Sequence, residues 1–176
     1  MSDELPSKTQ ALQLLIENNC TPDVIEHCKA VAKLATEIAE NCLKKGLSVN
    51  IDLVEIGAIL HDIGRSKTHS VHHALIGAQI LRSAGLPEAL LSIVKRHVGG
   101  GITKDEAEQL GWPKDVYIPQ TLEEKIVSYA DKMIEKSTRI PIEITIDALA
   151  KKHGQEAAER VRKLHTELAK FIGDCP

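Results

Sequence analysis

Apolar residues recur at three- and four-residue intervals through most of this chain, and capping residues mark where each run starts and stops. Ser7 is placed to cap a first helix, "KTQALQLLIENN". Thr21, with Pro22 in the first turn and Gly46 at the stop, brackets "TPDVIEHCKAVAKLATEIAENCLKKG" as a long second one. "NIDLVEIGAILHDIG" predicts a third helix ending near Gly64, and "VHHALIGAQILRSAG" with "LPEALLSIVKRHV" a helical pair around Gly85-Leu86-Pro87. Thr103 with Glu106 and Thr121 with Glu124 form capping-box patterns that open "KDEAEQL" and "LEEKIVSYADKMIEK". Helical segments at about 144–152 and 155–171 complete the chain. Only "RIPIEITI" approaches a strand, and Pro141 weakens it. The pattern predicts a single all-α helical-bundle domain over 1–176, with one irregular excursion, "GGGITKDEAEQLGWPKDVYIPQT".

Composition narrows this picture. At 176 residues the chain can bury a substantial core, and with 2% aromatics that core must be aliphatic, as suits packed helices. The net charge of -3 argues against broad nucleic-acid or membrane electrostatics but leaves room for a small anionic substrate. Cys20, Cys28, Cys42 and Cys175 form no Cys-x-x-Cys pair, which points to reduced thiols rather than a disulfide framework or thiolate zinc site. The start "MSDELPSKTQ" is acidic and polar, unlike a secretory signal, and no apolar run approaches the roughly 20 residues of a membrane span. The expectation is a soluble, cytoplasmic protein.

Helical phase then exposes a conflict. His27 lies three after Val24 and four before Val31; His61 lies four after Gly57, and Asp62 four after Ala58. Asp131 sits between Val127 and Ile134, His97 follows Ile93 and Val94, and His73 precedes Gly77 and Ile80 at the same intervals. One inward histidine is ordinarily a hydrogen-bonded core residue, and one inward aspartate can cap a neighbouring helix. Six such groups from five helices are harder to accommodate, because an uncompensated buried carboxylate costs several kcal/mol or gives up its charge. One divalent cation, or two, would compensate them all. Imidazole and carboxylate donors suit Zn, Fe, Mn or Ni, and the absence of thiolates argues against a purely structural zinc site. Neighbours on a helix diverge by about 100°, so His61 and Asp62 can flank one ion only near a helix end.

The segments "VIEHCKAVAKLA", "LHDIG" and "YADKM" resemble, in order, the His…His-Asp…Asp signature of the HD metal-dependent phosphohydrolase superfamily. The resemblance covers an HD core of about 21–136, leaving 140–176 as a C-terminal helical extension packed on that core. It implies that His27, His61, Asp62 and Asp131 hold one metal. "HHALIGAQIL" and "IVKRHVGGG" are similar to members with two extra histidines and a second metal, among them the bacterial HD-type symmetrical dinucleoside tetraphosphate hydrolases. By that likeness His73, rather than His72, joins His97 as a ligand, and Asp62 bridges the ions. Arg65 stands where many relatives carry Lys, and it can still clamp a phosphate.

The resemblance implies hydrolysis of a phosphoester or phosphoanhydride of a small, nucleotide-like substrate. Asp62 would orient or deprotonate the attacking water, and Arg65 would stabilise charge on the phosphoryl oxygens. No membrane or nucleic-acid partner is expected, and nothing sets an oligomeric state. Two other functions fit the same six ligands: a di-iron oxygenase, and a nucleotide-binding module with a bound metal and no turnover. Trp112 and Tyr117, in the excursion, are placed either to stack on a nucleobase or to pack the loop onto the body. "GGGIT" reads as a hinge sooner than as a phosphate cradle of backbone amides, and Lys95, Arg96, Lys132 and Arg139 as solvated surface charges sooner than as phosphate contacts.

Overall fold

The computed structural model describes residues 4–172, so Cys175 lies outside the described residues. Nine α-helices carry most of them: α1 (Lys8–Glu17), α2 (Pro22–Lys44), α3 (Ile51–Leu60), α4 (His73–Ser83), α5 (Glu88–Arg96), α6 (Lys104–Gln109), α7 (Leu122–Lys132), α8 (Ile142–His153) and α9 (Gln155–Leu168). The fold is all-α, as the periodicity predicts. Side-chain oxygens of Ser7, Thr21, Asn50, Thr103 and Thr121 each accept a backbone N–H in the first turn that follows, satisfying donors a helix start would otherwise leave bare. Both predicted capping boxes are present, and Ser7 forms a third with Gln10.

The long α2 is the spine. Val24, Cys28, Val31, Ala35, Ile38 and Cys42 are buried on one stripe. They join Val54, Ile59, Leu91, Ile126 and Tyr129 in one aliphatic cluster, which also takes in Ala158, Val161, Leu164 and Leu168 of α9. A smaller cluster of Ala74, Ala107, Trp112 and Tyr117 fixes the excursion to α4. Cys20, Cys28 and Cys42 are free thiols inside the protein. Among the described residues no helix is long and apolar enough to cross a membrane.

Three boundaries differ from the sequence expectation. The third helix stops at Leu60, and 63–66 form one turn of 3-10 helix instead of continuing to Gly64. The seventh stops at Lys132, and a short antiparallel hairpin follows, β1 (Ile134–Glu135) with β2 (Thr138–Arg139), its first strand lying where helix was expected. Lys136, at φ +56, makes the turn. The best strand candidate, "RIPIEITI", is instead mostly helix: Pro141 caps α8, and Ile142 and Ile146 bury one turn apart. A proline that fixes φ and lacks an N–H suits a helix entry better than a strand interior.

Candidate metal centre

The six inward groups converge. Asp62 is at the middle: its Oδ1 lies 3.1 Å from His73 Nε2 and 3.5 Å from His97 Nε2. Its Oδ2 lies 3.7 Å from His61 Nε2 and 3.9 Å from His27 Nε2. Asp131 Oδ1 closes the other side, 3.0 Å from His27 Nε2 and 3.4 Å from His61 Nε2. His61 and Asp62 face one centre because the chain leaves the helix between them. His61 keeps helical angles as the C-cap of α3, whereas Asp62 turns to φ −102, ψ 13 and starts the 3-10 turn.

Backbone carbonyls aim the imidazoles. Nδ1 of His61, His73 and His97 donates to the carbonyl three residues earlier, of Ala58, Ser70 and Val94 respectively, each at 2.7 Å. His27 lies inside α2 and has no free carbonyl nearby; its Nδ1 donates 2.7 Å to Lys136 in the hairpin turn. A carbonyl can only accept, so these contacts hold the proton on Nδ1 and leave each Nε2 a bare lone pair. Nε2 of His73 and of His97 then face each other at 3.0 Å, lone pair against lone pair. His61 Nε2 and Asp62 Oδ1 are buried and make no hydrogen bond. Such a set is costly unless a cation or extra protons sit among the donors, and it is the donor chemistry that divalent transition metals take. Two triads have donor atoms all within 4.8 Å of one another and could each hold an ion: His27, His61 and Asp131, and His61, Asp62 and His97.

The charges respond to this crowding. Burial works against the Asp62 carboxylate, yet the charge of His61 and hydrogen bonds from His73 and His97, which need an extra proton on Nε2, hold its pKa well below the usual range. Burial likewise opposes the Asp131 carboxylate, which is held low chiefly by Lys132, then by His27 and His61. His97 is driven the other way, to about 4, by burial that Asp62 only partly offsets. Arg65 Nε donates to Asp62 Oδ2, and Lys132 Nζ to Asp131 Oδ2, so each carboxylate carries one protein cation.

Among the described residues, exposure of the centre is uneven. His61, Asp62, His73 and His97 are buried, whereas Arg65 keeps 32% of its side chain exposed and His27 and Asp131 are part-exposed. These last three reach a cleft of about 430 Å³ whose far wall is α8. His72 stays on the surface beyond the closed side, accepting 2.8 Å from Trp112 Nε1. Trp112 and Tyr117 are buried there, edge to face with centroids 4.8 Å apart, so they pack the excursion and do not face the cleft.

Sequence reasoning missed the Lys136 carbonyl and the α8 wall. Neither has a local signal, since any residue offers a carbonyl and α8 carries no motif. Lys95 and Arg96 are not solvated surface charges. Lys95 is buried against Asp115 at 2.6 Å, and Arg96 holds buried Glu124 at 2.7 Å, pinning the excursion to α5 and α7. Lys132, too, is committed to Asp131. "GGGIT" does not read as a free hinge: Gly100 abuts Val161 and Arg160 of α9, and Gly101 abuts Ile118 and Pro119.

A helical bundle whose buried centre collects a His…His-Asp…Asp set defines a class, and the HD domain model matches residues 24–135: the chain belongs to the HD-domain family. It is 44% identical over 160 residues to an uncharacterised protein of Methanocaldococcus jannaschii, covering 90% of this chain and 95% of that one. It is 40% identical over 169 residues to a tRNA (cytidine(56)-2'-O)-methyltransferase of Thermoplasma volcanium, covering 96% of this chain but 48% of the methyltransferase. In fold it is similar to the HD domain of the Listeria monocytogenes phosphodiesterase PgpH, solved in complex with cyclic-di-AMP. That likeness has a TM-score of 0.58, 18% identity, and coverage of 95% of this chain and 99% of the other.

Proposed function

We propose that this chain is a metal-dependent phosphohydrolase that cleaves a phosphoester or phosphoanhydride in a nucleotide-like substrate. One observation carries the reading: Asp62 presents one oxygen to His73 and His97 and the other to His61 and His27, with buried donors left over on both sides. His27, His61, Asp62 and Asp131 would hold one divalent ion, and His73 and His97, sharing Asp62, a second. When bound, such ions acidify water and polarise a phosphoryl oxygen. The residues supply the rest. Asp62, buried and ionised, would orient or deprotonate the attacking water. Arg65, tethered through Nε and part-exposed at the mouth, is placed to bind phosphoryl oxygens with its remaining N–H groups. The sealed side behind His73 and His97 keeps bulk water from the reacting phosphorus. The whole chain acts as one domain in this reading, an HD core over about 21–136 with the 140–176 extension beside it.

The PgpH domain binds a nucleotide, which supports a nucleotide substrate here. Likeness over nearly the whole chain to about half of a tRNA-modifying enzyme adds RNA phosphates as a second substrate class to test. The test is phosphate or nucleotide release from a panel of cyclic, linear and RNA-terminal phosphates with manganese or iron. Asp62→Ala should lose about 10²- to 10⁴-fold in rate, the range of a positioned acid–base group. Equal rates in wild type and variant refute the reading.

A further inference from the structure

Arg65, His27 and Asp131 line the cleft beside α8, and that wall is built in a pattern. Ile144, Ala148 and Lys152 follow one another at four-residue intervals along it, flanked by Thr145 and Leu149. Thr145 Oγ1 donates 2.7 Å to the Lys132 carbonyl, tying this face of α8 to the end of α7, the helix that carries Asp131. Ile144 is 53% exposed, an apolar side chain turned toward the open cleft instead of the core. Eight residues at 1.5 Å each set Ile144 about 12 Å from Lys152 along the wall. At about 430 Å³ the cleft falls within the range of small-molecule sites, roughly 300–1,000 Å³. Arg65 and Lys132 already face Asp62 and Asp131, so Lys136 and Lys152, against Glu135, set the charge of its rim.

From this arrangement we infer that α8 is the substrate-selecting wall of the site and holds a nucleoside attached to the reacting phosphate. The inference rests on the phosphohydrolase reading. The phosphate lies at Arg65, and the base and sugar lie along the aliphatic strip of Ile140, Ile144, Ala148 and Leu149. The strip offers a nonpolar body a place out of water, whereas a bare phosphate ester gains nothing from it.

Two chromogenic diesters isolate this contribution, because both release 4-nitrophenolate: thymidine 5'-(4-nitrophenyl phosphate) and methyl 4-nitrophenyl phosphate. With the manganese-loaded protein, kcat/KM for the thymidine ester should exceed that for the methyl ester by about tenfold or more, the lower range for an apolar pocket contact. Ile144→Asp, at a half-exposed position, should collapse the ratio toward one, and Ile144→Leu should keep it. An equal kcat/KM for the two esters in the wild type, or a ratio unchanged in Ile144→Asp, overturns the role of α8 while leaving phosphohydrolysis intact. No release from either ester, with release from the nucleotide panel retained, also overturns the nucleoside assignment to α8; no release from ester or panel overturns the phosphohydrolase reading itself.

Discussion

Gly64 offers the sharpest test of how the fold sets the centre. A Cβ at this position would lie 1.9 Å from the His73 carbonyl oxygen and 2.7 Å from the Gly77 nitrogen. The nearer contact is about 1.5 Å short of ordinary van der Waals separation. Both obstacles are backbone, so no rotamer change relieves them; α4 must lift off the 3-10 turn. His73 opens α4, and its Nε2 now sits 3.1 Å from Asp62 Oδ1, so the same displacement pulls a donor from the shared carboxylate. Overpacking costs about 1–3 kcal/mol or more, and this site belongs at the upper end. At about 2–4 °C per kcal/mol for a chain of this size, Gly64→Ala should melt roughly 6–12 °C below wild type. It should also take up less manganese. Thermal unfolding by circular dichroism gives the first number, and metal analysis after equilibrium dialysis gives the second. Gly85→Ala is the control: at φ +74 with open space around it, it bears only backbone strain, about 1 kcal/mol, and touches no donor. A Gly64→Ala protein that melts within about 2 °C of wild type and binds as much metal refutes the reasoning.

Two further expectations concern the excursion. Arg96→Ala leaves the buried Glu124 carboxylate without its cation while its bonds from Gln120 and Thr121 remain, so stability should fall by about 2–4 kcal/mol, read from chemical denaturation. Glu106 is opposed by burial, but the Thr103 amide and Arg160 hold its carboxyl below its ordinary value. A depressed folded pKa means the stabilisation is present above the usual glutamate range, near pH 4.3, and is lost as pH falls below it. Hydrogen-exchange protection factors at Ile102 and Trp112, corrected for the intrinsic pH dependence of amide exchange, should therefore fall on acidification below that range. Arg160→Ala should flatten the response, and an unchanged profile in that variant would contradict the assignment.

The sequence made the helices legible because their caps are local: Ser7, Thr21, Thr103 and Thr121 each act within three residues of themselves. The inward placement of the six polar groups was legible for a related reason, since phase along a helix is also local. The hairpin was not. Its two-residue strands are too short to show alternation, and Lys136 enters the left-handed region without the glycine that would advertise it. The buried pairs of Lys95 and Arg96 went unseen because their partners lie about twenty and twenty-eight residues onward, Asp115 in the excursion and Glu124 in another helix, beyond the reach of helical phase. Trp112 and Tyr117 left two readings open, and the packing of the excursion decides for the plainer one.

The hairpin carbonyl that steers His27 ties the entrance of the site to its chemistry. Lys136 lies on the rim of the cleft, so a molecule that presses on this corner leans on the same peptide that orients the ring. The other three imidazoles, each braced by a carbonyl three residues before it in the chain, would feel nothing. Any mechanical sensitivity to an incoming molecule is thus concentrated in a single one of the four rings.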